Sequence, residues 1–144
     1  MRDQAQTLSF DLTDFLPFQM SVIASRAFQR IMGATGLQVP EWRIMMALPA
    51  HQPCSSHELC SLTAMDAARV SRAQRRLEDL DMIHVVRDTA DRRRLVVQLS
   101  DKGTEEVARL RVAARDVEST ILDDLGPEDR ACLKTAIGEL YARL

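Results

Sequence analysis

Arginine is concentrated in two short stretches of this chain, and its planar guanidinium group is well suited to binding phosphate and guanine. The first group is Arg69, Arg72, Arg75 and Arg76, and the second is Arg92, Arg93 and Arg94. A guanidinium can donate two parallel hydrogen bonds to a phosphate or to the O6 and N7 atoms of guanine. Both stretches are therefore candidates for recognition of double-stranded DNA.

The spacing of the first group predicts a helix with one cationic face. Asp66 can accept hydrogen bonds from the free amides of a first turn, which predicts a helix over residues 67–80. Its apolar stripe consists of Val70, Ala73, Leu77 and Leu80, and the arginines occupy the adjoining arc. Ala68 and Ser71 are small, so the N-terminal end of the helix could lie deep in a major groove.

The same arginines could also be an ordinary solvated face. No acidic residue lies between Asp66 and Glu78, so the stabilising partners usual at a spacing of four residues are missing. We therefore expect the four arginines to be unpaired and to repel one another unless an anionic partner covers them. This expectation favours the DNA hypothesis.

A second helix and a hairpin flank the arginine helix in the sequence. Ser55 and Glu58 have the spacing of a capping box, with Leu59 and Leu62 predicted to face inward. Residues 63–65 form a connection as short as that of a helix-turn-helix.

Two strands are predicted after the arginine helix, over Ile83–Arg87 and Leu95–Leu99, with alternate residues of the second strand half-buried. The tip between them carries Asp91 and the arginine triplet. Three arginines at a tip suit a narrow minor groove better than they suit a merely soluble turn.

Residues 77–103 read L-x-x-L-D-M-I-x-x-x-x-D-T-A-D-R-R-R-L-V-V-Q-L-S-D-K-G, which resembles the wing signature of MarR-type bacterial transcription regulators. The resemblance covers about residues 58–103. It implies that Arg93 enters the minor groove and that Asp91 orients it or a neighbouring arginine. It also implies that the helix meets the major groove through Ala68, Arg69, Ser71 and Arg72. Asp81 departs from the family, which usually has glycine there, so the end of the helix is left open.

The flanks predict further helices that would hold this unit. One runs from Pro17 to Gly33, a short one covers residues 41–48, and Pro49 and Pro53 bound a loop. Ser100 caps a helix of about six turns, which Gly126-Pro127 breaks before a last helix over residues 128–143. Residues 1–10 are expected to be loose or to form a short arm that reaches a partner. The expected fold class is mainly α with a small β-wing: a winged helix-turn-helix flanked by N- and C-terminal dimerisation helices.

We assign residues 37–100 to the DNA-binding unit and residues 1–36 and 101–144 to a helical dimerisation region of the same compact domain. The terminal helices carry more apolar surface than one small domain can bury, so a two-fold homodimer is expected.

Composition and cysteine content set limits on the protein class. The chain has 144 residues, 46% hydrophobic residues and a net charge of −2, as in a globular protein without general affinity for polyanions. The polar N-terminus and the absence of long apolar runs predict a cytoplasmic protein that does not bind membranes. Three cysteines indicate reduced thiols. Cys60 and Cys132 are expected to be buried, while Cys54, just before a helix, is the candidate for an alternative function in redox sensing.

These observations predict a dimeric, sequence-specific regulator that binds a palindromic operator. The resemblance adds that it is a repressor and that a small-molecule effector lowers its DNA affinity. A pocket between the dimer helices and the winged unit would use Met20, Ile23, Phe28, Trp42, Met45, Met46 and Leu110, unless these are plain core residues. A winged helix that binds a protein instead of DNA is a second hypothesis. No catalytic motif is found, and neither a cofactor nor a metal ion is expected.

Overall fold

The computed structural model describes residues 10–33 and 35–144, which form six α-helices, a short 3-10 helix (Leu12–Asp14) and one two-stranded antiparallel sheet. In chain order the elements are α1 (Leu16–Met32), α2 (Val39–His51), α3 (Ser56–Thr63), α4 (Ala67–Asp79), β1 (Ile83–Arg87), β2 (Leu95–Leu99), α5 (Asp101–Leu122) and α6 (Pro127–Tyr141). The predicted fold class, mainly α with a β-wing, is confirmed. Apart from Phe10, the predicted N-terminal arm lies outside the described residues.

Local signals explain most of the helix boundaries. The Ser55 and Asp66 side chains accept hydrogen bonds from the amides of Glu58 and Arg69, which begins α3 and α4 as predicted. Helix α2, however, is longer than predicted at both ends. Gln38 and Glu41 form a capping box that starts it at Val39, and Pro49 lies in its last turn instead of bounding a loop. Pro49 has no N–H to donate to the preceding turn, but the amide of Gln52 still donates to Leu48 O at 2.8 Å. The helix therefore continues past the proline.

One hydrophobic core connects the helix-turn-helix to the hairpin. Its fully buried side chains come from α2, α3, α4, β1, β2 and α5, and include Ile44, Leu48, Leu59, Leu77, Ile83, Val97 and Leu110. The prediction that Leu62 faces inward is wrong, because its side chain is 39% exposed. Helix α3 therefore meets the core through Leu59 and Thr63 instead.

The hairpin has the predicted strands but a different burial pattern. Ile83 pairs with Leu99 and Arg87 with Leu95. The expected alternation along β2 is wrong, since the adjacent residues Val96 and Val97 are both buried and Leu95 is exposed. Val97 exchanges backbone hydrogen bonds with Cys54 at 2.7 and 3.3 Å, so β2 lies between β1 and this bridge. Because β2 is flanked on both sides, it buries Val96 and Val97, which an edge strand would leave in water.

The turn after α4 is closed by a Schellman motif. The amide of Met82 donates to Leu77 O and that of Asp81 to Glu78 O, each at 2.9 Å. Asp81 has a φ of 57°, the left-handed conformation in which the MarR-type signature places glycine. The helix end that the sequence left open is therefore a left-handed cap made by aspartate, a residue that tolerates this region better than most.

The terminal helices keep much of their apolar surface exposed. Helix α6 buries no residue, and on α1 only Ile31 is buried. The large exposed side chains on the two helices are Leu16, Met20, Ile23, Leu133, Ile137, Leu140 and Tyr141. Among the described residues, none of the helices combines the length and apolarity that a bilayer-spanning segment needs.

Candidate nucleic-acid interface

Helix α4 separates a buried face from a cationic one. Val70, Ala73 and Leu77 are 1% exposed or less and fix the helix on the core. Ala68, Arg69, Arg72, Arg75 and Arg76 are exposed, and Ser71 is half-buried. The pKa of Asp66 is lowered because its carboxylate accepts the Arg69 backbone amide. The cap therefore stays ionised where it stabilises the positive end of the helix dipole.

The expectation of four unpaired arginines on α4 is wrong for two of them. Arg69 Nε lies 3.6 Å from the Asp66 carboxylate, within the helix's own first turn. Arg76 Nε lies 4.0 Å from the buried carboxylate of Glu41 in α2, and its Nη2 donates to Gly36 O at 3.2 Å. Glu41 is a tertiary partner, which local spacing in the sequence could not reveal.

Arg72 and Arg75 occupy the centre of the exposed face. Within residues 10–33 and 35–144, neither forms an ion pair. Their guanidinium groups therefore remain available to an external anion.

The hairpin tip is organised by aspartates acting on the backbone. Asp91 Oδ1 accepts the amide of Arg93 at 3.0 Å, and Asp88 Oδ1 accepts that of Ala90 at 2.9 Å. The Asp88 amide donates to Arg94 O at 2.8 Å and closes the loop. Asp91 thus contacts the main chain of Arg93 and leaves the exposed Arg93 side chain free to extend.

Arg94 points back to the body of the protein. Its Nη2 donates to Glu58 Oε2 at 2.6 Å and to Ser55 Oγ at 3.2 Å. Hydrogen bonds from the Ser55 amide, the Ser55 hydroxyl and Arg94 lower the pKa of Glu58 from 4.5 to about 2. The same contact raises the pKa of Arg94. The spacing of Glu58 in the sequence indicates only a capping residue, since its partner Arg94 lies 36 positions away.

The start of α3 lies between the two cationic elements. Ser56 Oγ donates to Gln74 Oε1 of α4 at 3.0 Å, while Ser55 and Glu58 hold Arg94 of the hairpin. Residues 55–58 therefore contact both α4 and the arginine tip.

The structure does not bring the seven predicted pocket residues together around one cavity. Phe28 and Trp42 pack edge to face, with ring centroids 5.0 Å apart, and both line a cavity of about 650 Å³. Met45 and Leu110 belong to the fully buried core, and Met20 is exposed. Met46 lines a second, smaller pocket, and Ile23 lies in a groove beside Arg26.

The larger cavity is lined mainly by helices that the sequence assigned to dimerisation. Its lining residues are Ala27, Phe28, Ile31, Trp42, Ala114, Val117, Glu118, Ile121, Leu122, Leu133, Lys134, Ile137, Gly138 and Tyr141. Lys134 Nζ and Glu118 Oε1 form an ion pair of 3.3 Å within this set. The periodicity of α5 and α6 indicated apolar faces but gave no sign that a cavity lies between them.

The cysteines are placed differently from the prediction. Cys54 is buried at 2% exposure, Cys60 is half-buried and Cys132 is exposed. The pKa of the Cys54 thiol is raised, chiefly by burial and next by the charge of Glu58. A buried thiol with a raised pKa carries little thiolate at neutral pH, which is unfavourable for redox sensing.

The fold and the cationic elements together define a winged helix-turn-helix protein. The family model that matches the chain is that of the MarR family, over residues 35–94. The chain is similar to a probable transcriptional regulator from Pseudomonas aeruginosa, with 30% identity and a TM-score of 0.80. That likeness covers 90% of this chain and 99% of the other. The chain belongs to the MarR family.

Two further relatives have described roles. The transcriptional repressor NicR of Pseudomonas putida is 27% identical over 89 residues, which are 62% of this chain. The match spans only 56% of NicR itself. The structure of Bordetella bronchiseptica BpsR is described as showing how 6-hydroxynicotinic acid regulates its DNA binding. It matches with 21% identity and a TM-score of 0.79, over 92% of this chain and 96% of BpsR.

Proposed function

We propose that this protein is a homodimeric transcriptional regulator that binds double-stranded DNA at a palindromic operator. The observation that supports the proposal is that two arginine-bearing elements, α4 and the hairpin tip, both contact the N-terminal turn of α3. Helix α4 would enter the major groove with Ala68, Arg69, Ser71, Arg72 and Arg75. The tip would reach the minor groove with Arg92 and Arg93, with Asp91 holding the backbone of Arg93.

The unit over residues 37–100 would read DNA, and the flanking helices would join two copies. Two recognition helices must lie about 34–36 Å apart to enter successive major grooves. The exposed apolar faces of α1 and α6 support this assembly, because leaving them in water is costly. The proposed location is the cytoplasm, where such a protein would meet its operator.

A repressor that a small molecule releases is the proposed form of regulation. The cavity of about 650 Å³ has the size and apolar lining of a small-molecule site and touches α1, α2, α5 and α6. A ligand that favours one arrangement of these helices would change the spacing of the recognition helices and so lower DNA affinity. The description of BpsR, a relative with the same fold, supports this regulation.

The test is equilibrium binding of the full chain to duplexes recovered by sequencing co-purified DNA. Binding should fall steeply with salt, because each neutralised phosphate contributes about 0.9 to the log–log slope. Arg72→Ala should relax discrimination at one base pair by about 1–3 kcal/mol. Arg115→Ala, which removes the same charge from an exposed position on α5, should leave that discrimination unchanged.

One result would contradict this function, and another would change only the role assigned to Arg72. Binding without salt dependence or sequence preference would favour the alternative, a winged helix that docks a protein. A uniform loss for Arg72→Ala across all sequences would reduce Arg72 to a phosphate contact.

A further inference from the structure

One of the three arginines in the hairpin tip, Arg94, already forms an ion pair within the protein. Arg92 and Arg93 form no ion pair within the part of the chain that the structure describes, whereas Arg94 binds Glu58 and Ser55. The Arg87 side chain of β1 donates to Arg92 O at 2.9 Å, within the hairpin. Among the described residues 88–94, the side chain that hydrogen-bonds outside the hairpin is that of Arg94. The three consecutive arginines are therefore not equivalent.

The acceptor of Arg94 is itself held rigidly. Glu58 Oε2 accepts the Ser55 amide and the Ser55 hydroxyl, both at 2.7 Å, as part of the capping box of α3. Ser55 follows Cys54, whose backbone is bonded to Val97 of β2. Residues 54–58 thus hold the hairpin at two points, through Val97 in the middle of β2 and through Arg94 in the tip.

A two-stranded hairpin needs such support, since it is marginally stable by itself. The hairpin is fixed by the buried side chains of Ile83 at its base and of Val97 in the middle of β2, but the tip residues 89–94 are exposed. Without a contact at Arg94, the tip would be free to sway relative to α4. The distance between Arg93 and the face of α4 would then vary from molecule to molecule.

We propose that Arg94 is a positioning residue and not a DNA contact, and that Ser55, Glu58 and Arg94 form an anchor that sets the wing relative to the recognition helix. The proposal rests on the function proposed above. It reassigns one of the residues that the sequence placed at the DNA, because the Arg94 guanidinium is committed to Glu58. The anchor reduces the conformational freedom that the wing must otherwise lose when DNA binds.

The test uses Glu58→Gln, Arg94→Ala and the double variant. Glutamine at this position keeps the capping box, so α3 should fold while the ionic contact with Arg94 is lost. Loss of an exposed ion pair should shift the equilibrium between an anchored and a released wing by a factor of about two to five. A dimer has two wings, so the combined factor is about four to twenty-five. Both single variants should weaken operator binding by such a factor, and the double variant should lose no more than either.

Two readouts separate positioning from direct contact. The salt slope should stay at its wild-type value in Arg94→Ala, whereas loss of a phosphate contact in each protomer would lower it by about 2. Hydrogen exchange of residues 88–94 should accelerate about twofold to fivefold in Glu58→Gln without any DNA. Glu128→Gln, an exposed glutamate at the start of α6, is the matched control and should change neither quantity.

The anchor and the proposed function fail in different ways. Tighter DNA binding by Glu58→Gln, together with a reduced slope for Arg94→Ala, would make Arg94 a phosphate contact and overturn the anchor. Unchanged hydrogen exchange at the tip in Glu58→Gln would also overturn it. A wild-type protein that binds no duplex would contradict the proposed function, while the exchange measurement would still decide whether the anchor exists.

Discussion

Gly103 lies directly against the backbone carbonyl of Met82, with no room for a Cβ atom between them. The contact seats the first turn of α5 on the turn that joins α4 to β1. Ser100 strengthens it, since its amide donates to Met82 O at 3.0 Å and its hydroxyl to Asp81 O at 2.6 Å. The start of α5 is thereby joined to the end of the proposed recognition helix.

Gly103→Ala should lower the free energy of unfolding by about 1–3 kcal/mol, because the added methyl group would clash with the backbone carbonyl of Met82, which cannot rotate away as a side chain could. Urea unfolding monitored by circular dichroism would measure the change. Gly138→Ala is the control, since nothing lies within 4 Å of its Cβ position inside α6. That variant should gain about 0.5–1 kcal/mol of helix stability. Equal stability of Gly103→Ala and wild type would show that the two segments are not packed this closely.

Acid should release the anchor only at unusually low pH. The pKa of Glu58 lies at about 2 in the folded protein, against an ordinary value of 4.5. A lowered folded pKa adds stability that is complete above pH 4.5 and is lost as the pH falls through about 2. The stability advantage of wild type over Glu58→Gln should therefore shrink between these values. Carbon NMR of the Glu58 carboxyl would test this, and a midpoint near 4.5 would contradict the contact.

Arg93→Ala should abolish the preference for A·T-rich flanks of each half-site. A narrow A·T minor groove concentrates negative potential, so an inserted arginine distinguishes groove width more than base identity. Binding of paired duplexes that differ only in A·T or G·C flanks would measure the effect at fixed salt. Wild-type affinity and preference in this variant would remove the wing from the proposed interface.

Cys54→Ala should leave both DNA binding and its response to mild peroxide unchanged, because the thiol is buried and its pKa is raised. Binding titrations before and after peroxide treatment would measure both properties. Cys132→Ala serves as the exposed counterpart. Release of wild type by peroxide, beside a Cys54→Ala variant that stays bound, would restore the redox-sensing alternative.

Removal of residues 127–144 should weaken both dimerisation and operator binding, although it deletes no residue proposed to face DNA. Each large apolar side chain of α6 that an interface buries contributes about 1.5–3 kcal/mol. The exposed candidates are Leu133, Ile137, Leu140 and Tyr141. Sedimentation of the full and truncated chains at micromolar concentration would measure the association. A monomeric full-length chain that binds a palindrome without cooperativity would contradict the assembly.

The sequence by itself determined the elements and their order. Runs of β-forming residues and helical patterns, together with the caps at Ser55, Asp66 and Ser100, located both strands and the starts of α3, α4 and α5, because these signals act between neighbouring residues. The MarR-type signature over residues 77–103 identified the family for the same reason, since a hairpin and its flanking helices are continuous in the chain. The arginine clusters needed only composition and spacing.

Only the tertiary structure decided which of those arginines are free. Glu41 and Glu58 reach Arg76 and Arg94 across 35 and 36 positions, so no local pattern could have paired them. The burial of Cys54 and Val96 and the exposure of Leu62 likewise depend on which elements become neighbours. Side-chain periodicity indicates which faces are apolar, but three-dimensional packing determines which element covers each face. Ion pairs and cavities arise from that choice.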